Sequence, residues 1–293
     1  MTKPSIRWRA PDFGELSLAD ALDRVGASKQ LLLAGSVFVN GSRATHAEQR
    51  LSPGDWLEVY PALPTVQRAR IVERRDGLLV IEKPAALASE PTRQGAASVA
   101  EQVAAELGRN VHLHSRLDVG VSGLLVASTS RAARAHVDAL RAKGQLERVY
   151  LGMSSTAPAT STGDWQASVT HHGKSRAART RYQVLATLSR PAPLHTLTLL
   201  ELEPVTGRTH QLRQHCAQHG VPLIGDRRYG GTSRLVTQDG SVLEPGRILL
   251  HAACLTLSDL GGRPWRVTLP SPELERFWQL CGGDSAAFRK AWA

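Results

Sequence analysis

The chain has 293 residues, 42% of them hydrophobic, and its 36 Lys and Arg against 26 Asp and Glu give a formal net charge of +10. That is long and apolar enough for a sizeable core and more than one domain, and no apolar run is long enough to span a bilayer. The basic excess favours a polyanionic partner through counterion release, although a GC-rich genome leaves the same arginine signature.

Met1 to Pro11 shows no signal-peptide pattern. Cys216, Cys254 and Cys281 form no Cys-x-x-Cys pair and read as buried reduced thiols of a cytoplasmic protein. Ser17 to Val25 has helical spacing with Leu18, Leu22 and Val25 on one side, and Ala27 to Ala34 continues helical up to Gly35. Val37-Phe38-Val39 then runs into Asn40-Gly41, the strongest short hairpin signal, and Pro53-Gly54-Asp55 turns the chain into a closing strand, Trp56 to Tyr60. This series resembles the small RNA-binding module first seen in a small-subunit ribosomal protein. The resemblance implies a small α/β RNA-binding module over residues 1–62, here with only Arg24, Lys29 and Arg43 near its helices. Pro61 to Gln67 reads as a linker.

Ser98-Val99-Ala100-Glu101 is a capping box for a helix ending at Gly108. In His114-Ser115-Arg116-Leu117-Asp118-Val119-Gly120-Val121-Ser122-Gly123, Asp118 stands in a polar loop before an apolar strand, Leu124 to Ala127. A lone Asp there is either a turn-former or a nucleophile. Ser130 to Lys143 predicts a helix with Arg131, Arg134, Arg141 and Lys143 as a basic surface, and the Ser/Thr-rich Ser154 to Gly163 a mobile loop. A period near two from Trp165 to Glu203 predicts antiparallel strands. The stretch from Glu203 to His215 turns helical at its end, and Thr232 to Gly246 reads as a surface insertion. His215 and His219 stand at i and i+4 without an acidic partner between them, so no metal site is expected. Neither a dinucleotide nor a P-loop glycine fingerprint is present.

Arg116-Leu117-Asp118-Val119-Gly120-Val121-Ser122-Gly123-Leu124-Leu125 and Gly207-Arg208-Thr209-His210-Gln211-Leu212-Arg213 together resemble the RluA family of pseudouridine synthases. Arg148-Val149-Tyr150, Ala178 to Leu185 and Leu249 to Ala252 fall where that family has further strands, so the match reaches over roughly residues 70 to 270. Ser115 stands where the family usually has His, and Val121 where it has Thr. The resemblance implies an α+β catalytic domain over residues 68–293, built on a mixed, largely antiparallel sheet. It further implies an isomerase that converts uridines of structured ribosomal or transfer RNA to pseudouridine, without cofactor or metal, as a cytoplasmic monomer. Asp118 would be the nucleophile, Arg213 its ionic partner and Tyr150 the aromatic residue against the uracil face. Arg116 would fill the space left by a flipped base. Leu212 and Leu223 would be apolar walls, and Arg208 and His210 would complete the RNA-binding set. The alternative is a non-catalytic RNA-binding protein that keeps the synthase fold.

Overall fold

The computed structural model describes residues 6–11, 14–27, 29–33, 37–44, 46–59, 68–91, 98–189, 196–236 and 242–292. Two compact units emerge, Met1–Val66 and Gln67–Ala293, so the boundary falls at the end of the expected linker, which itself lies outside the described residues.

The first unit contains β1 (Ile6–Arg9), β2 (Leu16–Ser17), α1 (Leu18–Arg24), α2 (Gln30–Leu33), β3 (Val37–Val39), β4 (Ser42–Arg43), β5 (Arg50–Leu51) and β6 (Trp56–Val59). Ser17 caps α1 by accepting a hydrogen bond from the Asp20 amide at 3.1 Å. Asn40 and Gly41 both adopt positive φ, 50° and 76°, as a tight hairpin between β3 and β4 requires. The Asn40 side chain also donates to Asp55 at 2.7 Å and accepts from the Trp56 amide at 2.9 Å, which ties the hairpin to the Pro-Gly-Asp turn. An antiparallel sheet in the order β1-β6-β3-β4 results, and Leu57 and Val59 join Leu18, Ala21 and Leu22 of α1 in the core. The second helix is shorter than the spacing predicts, beginning only at Gln30; Ala34 to Ser36 lie outside the described residues.

The second unit contains β7 (Arg70–Arg75), β8 (Leu78–Lys83), α3 (Val99–Leu107), β9 (His112–Leu113), β10 (Ser122–Ser128), α4 (Arg131–Ala142), β11 (Glu147–Ser154), β12 (Thr162–His171), β13 (Lys174–Leu188), β14 (Leu197–Pro204), α5 (Gln211–Gln218), β15 (Leu235–Val236), β16 (Val242–Leu243), β17 (Leu250–Ser258), β18 (Pro264–Thr268), α6 (Pro272–Leu280) and α7 (Ser285–Trp292). The main sheet runs β12-β13-β14-β11-β17-β10-β8-β7, with β9 added on β10 and β18 on β17. Every pairing in it is antiparallel except β10 with β17. Strict alternation sorts the central strands between two layers. Leu79, Ile81, Leu125 and Ala127 pack with Val99 and Val103 of α3, whereas Leu78, Val80, Leu124 and Val126 pack with Ala133 and Val137 of α4. Helix α3 opens on the expected capping box and closes on Gly108 at φ 61°.

Two expectations need correction. The segment 154–163 is tethered rather than free: Ser154 and Thr156 donate to the carbonyls of Pro222 and Gly220, and Thr160 bonds the Tyr182 hydroxyl at 2.7 Å. The stretch after Thr232 is not purely a surface insertion, because β15 and β16 pair and Leu235 is buried with Ile224 and Leu249. In the first case small polar residues conceal long-range partners that local composition cannot show; in the second an apolar residue amid polar ones finds the core.

Candidate active site

Asp118 stands in the loop between β9 and β10, and that loop is held at several backbone atoms. The Ser89 hydroxyl donates to the Leu117 carbonyl at 2.8 Å and accepts from the Leu117 amide at 3.0 Å. The Val121 amide reaches back to the Asp118 carbonyl at 2.9 Å, and the Ala86 amide donates to Val119 at 2.7 Å. From the other side the fully buried Lys83 ammonium donates to Pro84, Leu87 and Val119 carbonyls at 2.8, 2.7 and 3.3 Å. Burial pulls the Lys83 pKa down to about 7 against the opposing charge of Asp118. Just beyond the loop only glycine fits at Gly123, since a Cβ there would stand 2.3 Å from the Ala252 carbonyl oxygen. The parallel contact of β10 with β17 thus fixes where the loop ends.

The partner of Asp118 comes from α5, a helix whose first six residues, Gln211 to Cys216, are all buried. Arg213 sends Nη1 to Asp118 Oδ2 at 2.7 Å, while Nε and Nη2 form a two-point bond to Asp226 at 2.6 and 2.8 Å. The Asp226 side chain is only 1% exposed and that of Asp118 is 26% exposed. One carboxylate is therefore structural ballast for the guanidinium, and the other faces the opening. Burial alone would lower the Arg213 pKa, but hydrogen bonds and charge from both aspartates outweigh it and raise the pKa. The guanidinium carbon also lies 5.0 Å from the centre of the Tyr229 ring. His210, in left-handed conformation at φ 55°, places Nε2 3.6 Å from Asp118 Oδ1 and pairs Nδ1 with the Tyr229 hydroxyl at 2.8 Å.

These groups open into a cavity of about 270 Å³. Asp118, Tyr150, Arg213, Arg116, Leu212, Arg208 and His210 all line it. Tyr150 is 7% exposed and lines the cavity; burial raises its phenol pKa, Arg148 lowers it and Asp118 raises it, so the phenol stays neutral. Arg116 is exposed and pairs with Glu90 at 3.2 Å. Leu223 corrects the sequence reading. It is 1% exposed, does not line the cavity, and packs in the core beside Gly152, whose absent Cβ leaves room for it. Sequence reasoning missed Asp226, Tyr229, Lys83 and Arg148. Asp226 followed by Arg227 and Arg228 reads locally as a solvated turn, and only its burial against Arg213 reveals the role.

His215 and His219 have structural partners. His215 bonds Thr180 and the Ala167 carbonyl, and His219 stacks on Trp165 with ring centres 4.9 Å apart.

The RNA pseudouridylate synthase family model matches residues 77–218. Ribosomal large subunit pseudouridine synthase C of Escherichia coli is 30% identical over 279 residues, covering 83% of this chain and 84% of that protein. The chain belongs to the RNA pseudouridylate synthase family. Synthases of this family are isomerases, and within the matched residues 77–218 Arg116, Asp118, Tyr150, Arg208, His210, Leu212 and Arg213 line one cavity. A Bacillus subtilis relative, the uncharacterized RNA pseudouridine synthase YhcT, is 31% identical over 198 residues; the match covers 62% of this chain and 64% of that protein. Human RNA pseudouridylate synthase domain containing 4 has the same fold, with a TM-score of 0.56 at 23% identity, covering 72% of this chain and 92% of that one.

Proposed function

We propose that this synthase converts specific uridines of structured RNA to pseudouridine, with Asp118 as the nucleophile. The observation that carries the reading is the division of labour at Arg213, which is fixed by buried Asp226 and presents one N–H to a partly exposed carboxylate beside Tyr150. In the overall isomerisation the bond from C1′ to N1 breaks, C5 bonds to C1′, and the C5 proton is exchanged for one on N1. Atoms and electrons balance without an oxidant or reductant. Arg213 orients the Asp118 carboxylate, Tyr150 supports the uracil ring, and Leu212 supplies an apolar contact. A paired base cannot enter a cavity of this size while stacked, so the target is flipped and Arg116 at the mouth takes up its place.

Large-subunit ribosomal RNA is the favoured substrate, because the relative aligned over most of the chain carries ribosomal large subunit in its name. Transfer RNA is the second candidate. No helix among the described residues is long and apolar enough to cross a membrane. Cys216 and Cys254 are buried, which suits a protein of the reducing cytoplasm. Asp118→Asn tests the assignment: pseudouridine formation should fall by more than about a thousandfold, with melting temperature and RNA affinity nearly unchanged. Turnover retained by a folded mutant protein rejects Asp118 as nucleophile.

A further inference from the structure

Next to the active-site cavity lies a second groove of about 590 Å³. The strip common to both is formed by Arg141, Arg148, Pro204, Thr206, Gly207 and Arg208, which includes three arginines and no carboxylate. Asp138, Glu147, Arg181 and Glu203 lie only in the outer groove, where Arg181 already pairs with Glu203 at 2.9 Å. Among the described residues none of the three shared arginines makes an ion pair. Arg141 spends one N–H on the His114 carbonyl at 2.9 Å, and Arg208 one on Ala177 at 3.4 Å.

Arg148 is the unusual member. Its Nε is buried and has no hydrogen-bond partner. A buried donor left unpaired is costly, more so when charged, so its retention at the lip of a cavity points to a ligand that satisfies it. The guanidinium lies against Gly207, with Nη2 3.6 Å from where a Cβ would stand. Arg148 also precedes Tyr150 by two residues on β11, and both line the same cavity. An anion gripped here would therefore adjoin whatever Tyr150 holds.

We propose that Arg148, supported by Arg141 and Arg208, forms a phosphate site that grips the RNA phosphodiester next to the target uridine and so sets how far the nucleotide enters the cavity. The planar guanidinium fork matches two phosphate oxygens, and no carboxylate on the strip competes with them. This proposal rests on the pseudouridine synthase reading for the identity of the strand, but its test needs no turnover.

The probe is a short fluorescein-labelled oligoadenylate with one central uridine, bound by the full chain and followed by anisotropy across a salt series. Arg148→Gln should weaken binding roughly tenfold, the loss of a charge-assisted contact, and make the slope of log affinity against log salt shallower by about 0.7, the value for one phosphate on a single strand. Arg148→Lys keeps the charge without the fork, so it should restore the slope and only part of the affinity. Replacing a linkage beside the uridine by uncharged methylphosphonate should weaken binding to the native protein but not to the Arg148→Gln protein. Equal methylphosphonate penalties in both proteins, an unchanged slope, or no charge-dependent binding by the native protein overturns the proposal. Should Arg148→Gln fail to fold, Arg208→Gln at its exposed position takes its place with the same expected and overturning results. Charge-dependent binding of the probe by a native protein that forms no pseudouridine in structured ribosomal or transfer RNA would reject the isomerase reading and leave the phosphate site standing.

Discussion

Arg213 divides its N–H donors between two carboxylates of unequal exposure, and that inequality sets what each can do. Asp226 has no access to substrate and serves to fix the plane of the guanidinium; Asp118 receives the remaining donor and keeps an open side. Removing the charge of Asp226 leaves a 9% exposed guanidinium short of one partner, and breaking a buried pair this way costs about 3 kcal/mol. Asp226→Asn should thus lower the melting temperature by roughly 6–12 °C. It should also reduce kcat more than it raises KM, because Arg213 would no longer hold Asp118 in one orientation. Unchanged melting and unchanged kcat would show that Asp226 does not carry this load. Tyr229 adds a second restraint by bonding His210 while its ring lies near Arg213.

Strand β10 follows the Asp118 loop, and buried histidines anchor both of its ends. His251 bonds the Ser122 hydroxyl through Nδ1 at 2.8 Å and donates from Nε2 to the Leu269 carbonyl at 3.1 Å, while His114 bonds Ser128 at 2.9 Å. Burial lowers both imidazole pKa values to about 4. Between pH 6.5 and 4 the unfolded chain takes up protons that the folded protein does not, so stability rises with pH and is lost as pH falls through that window. Each histidine can contribute a slope of up to about 1.4 kcal/mol per pH unit. Denaturant unfolding measured from pH 7 to 4 should show this loss, and His251→Gln should flatten it; a profile with the same slope in both proteins contradicts the role of His251. Elements whose determinants are local were readable from sequence, as with the Ser98 capping box, the Asn40-Gly41 hairpin and the period of two through β12, β13 and β14. The tether of Ser154 and Thr156 was not, because its acceptors lie more than sixty residues away.

At the scale of the whole molecule the basic charge is unevenly available. In the first unit Arg7, Lys29 and Arg50 are each paired with an acid while Arg24 is exposed and in no ion pair among the described residues, and the strip beside the active-site cavity concentrates three arginines likewise in no ion pair among them, Arg141, Arg148 and Arg208. If residues 17–60 nevertheless grip RNA, deleting them should raise KM and weaken binding, leave single-turnover chemistry at saturating RNA nearly unchanged, and cost less affinity as salt rises. A truncated protein that melts much earlier yet binds RNA equally well would mark the unit as structural.

The sequence by itself determined the residue types, the caps and turns, the strand periods and the two motifs, because each depends on neighbours within a few positions. The family resemblance that those motifs carry, rather than any local period, is what pointed to Asp118, Tyr150 and Arg213. Only the tertiary structure decided that Arg213 bridges Asp118 to Asp226, that Lys83 is buried under the Asp118 loop, and that Leu223 belongs to the core while Arg148 lines the opening. Those outcomes follow from where β10, β11, β17 and α5 meet. Burial and charge pairing across such distances depend on the packed chain and have no local sequence period.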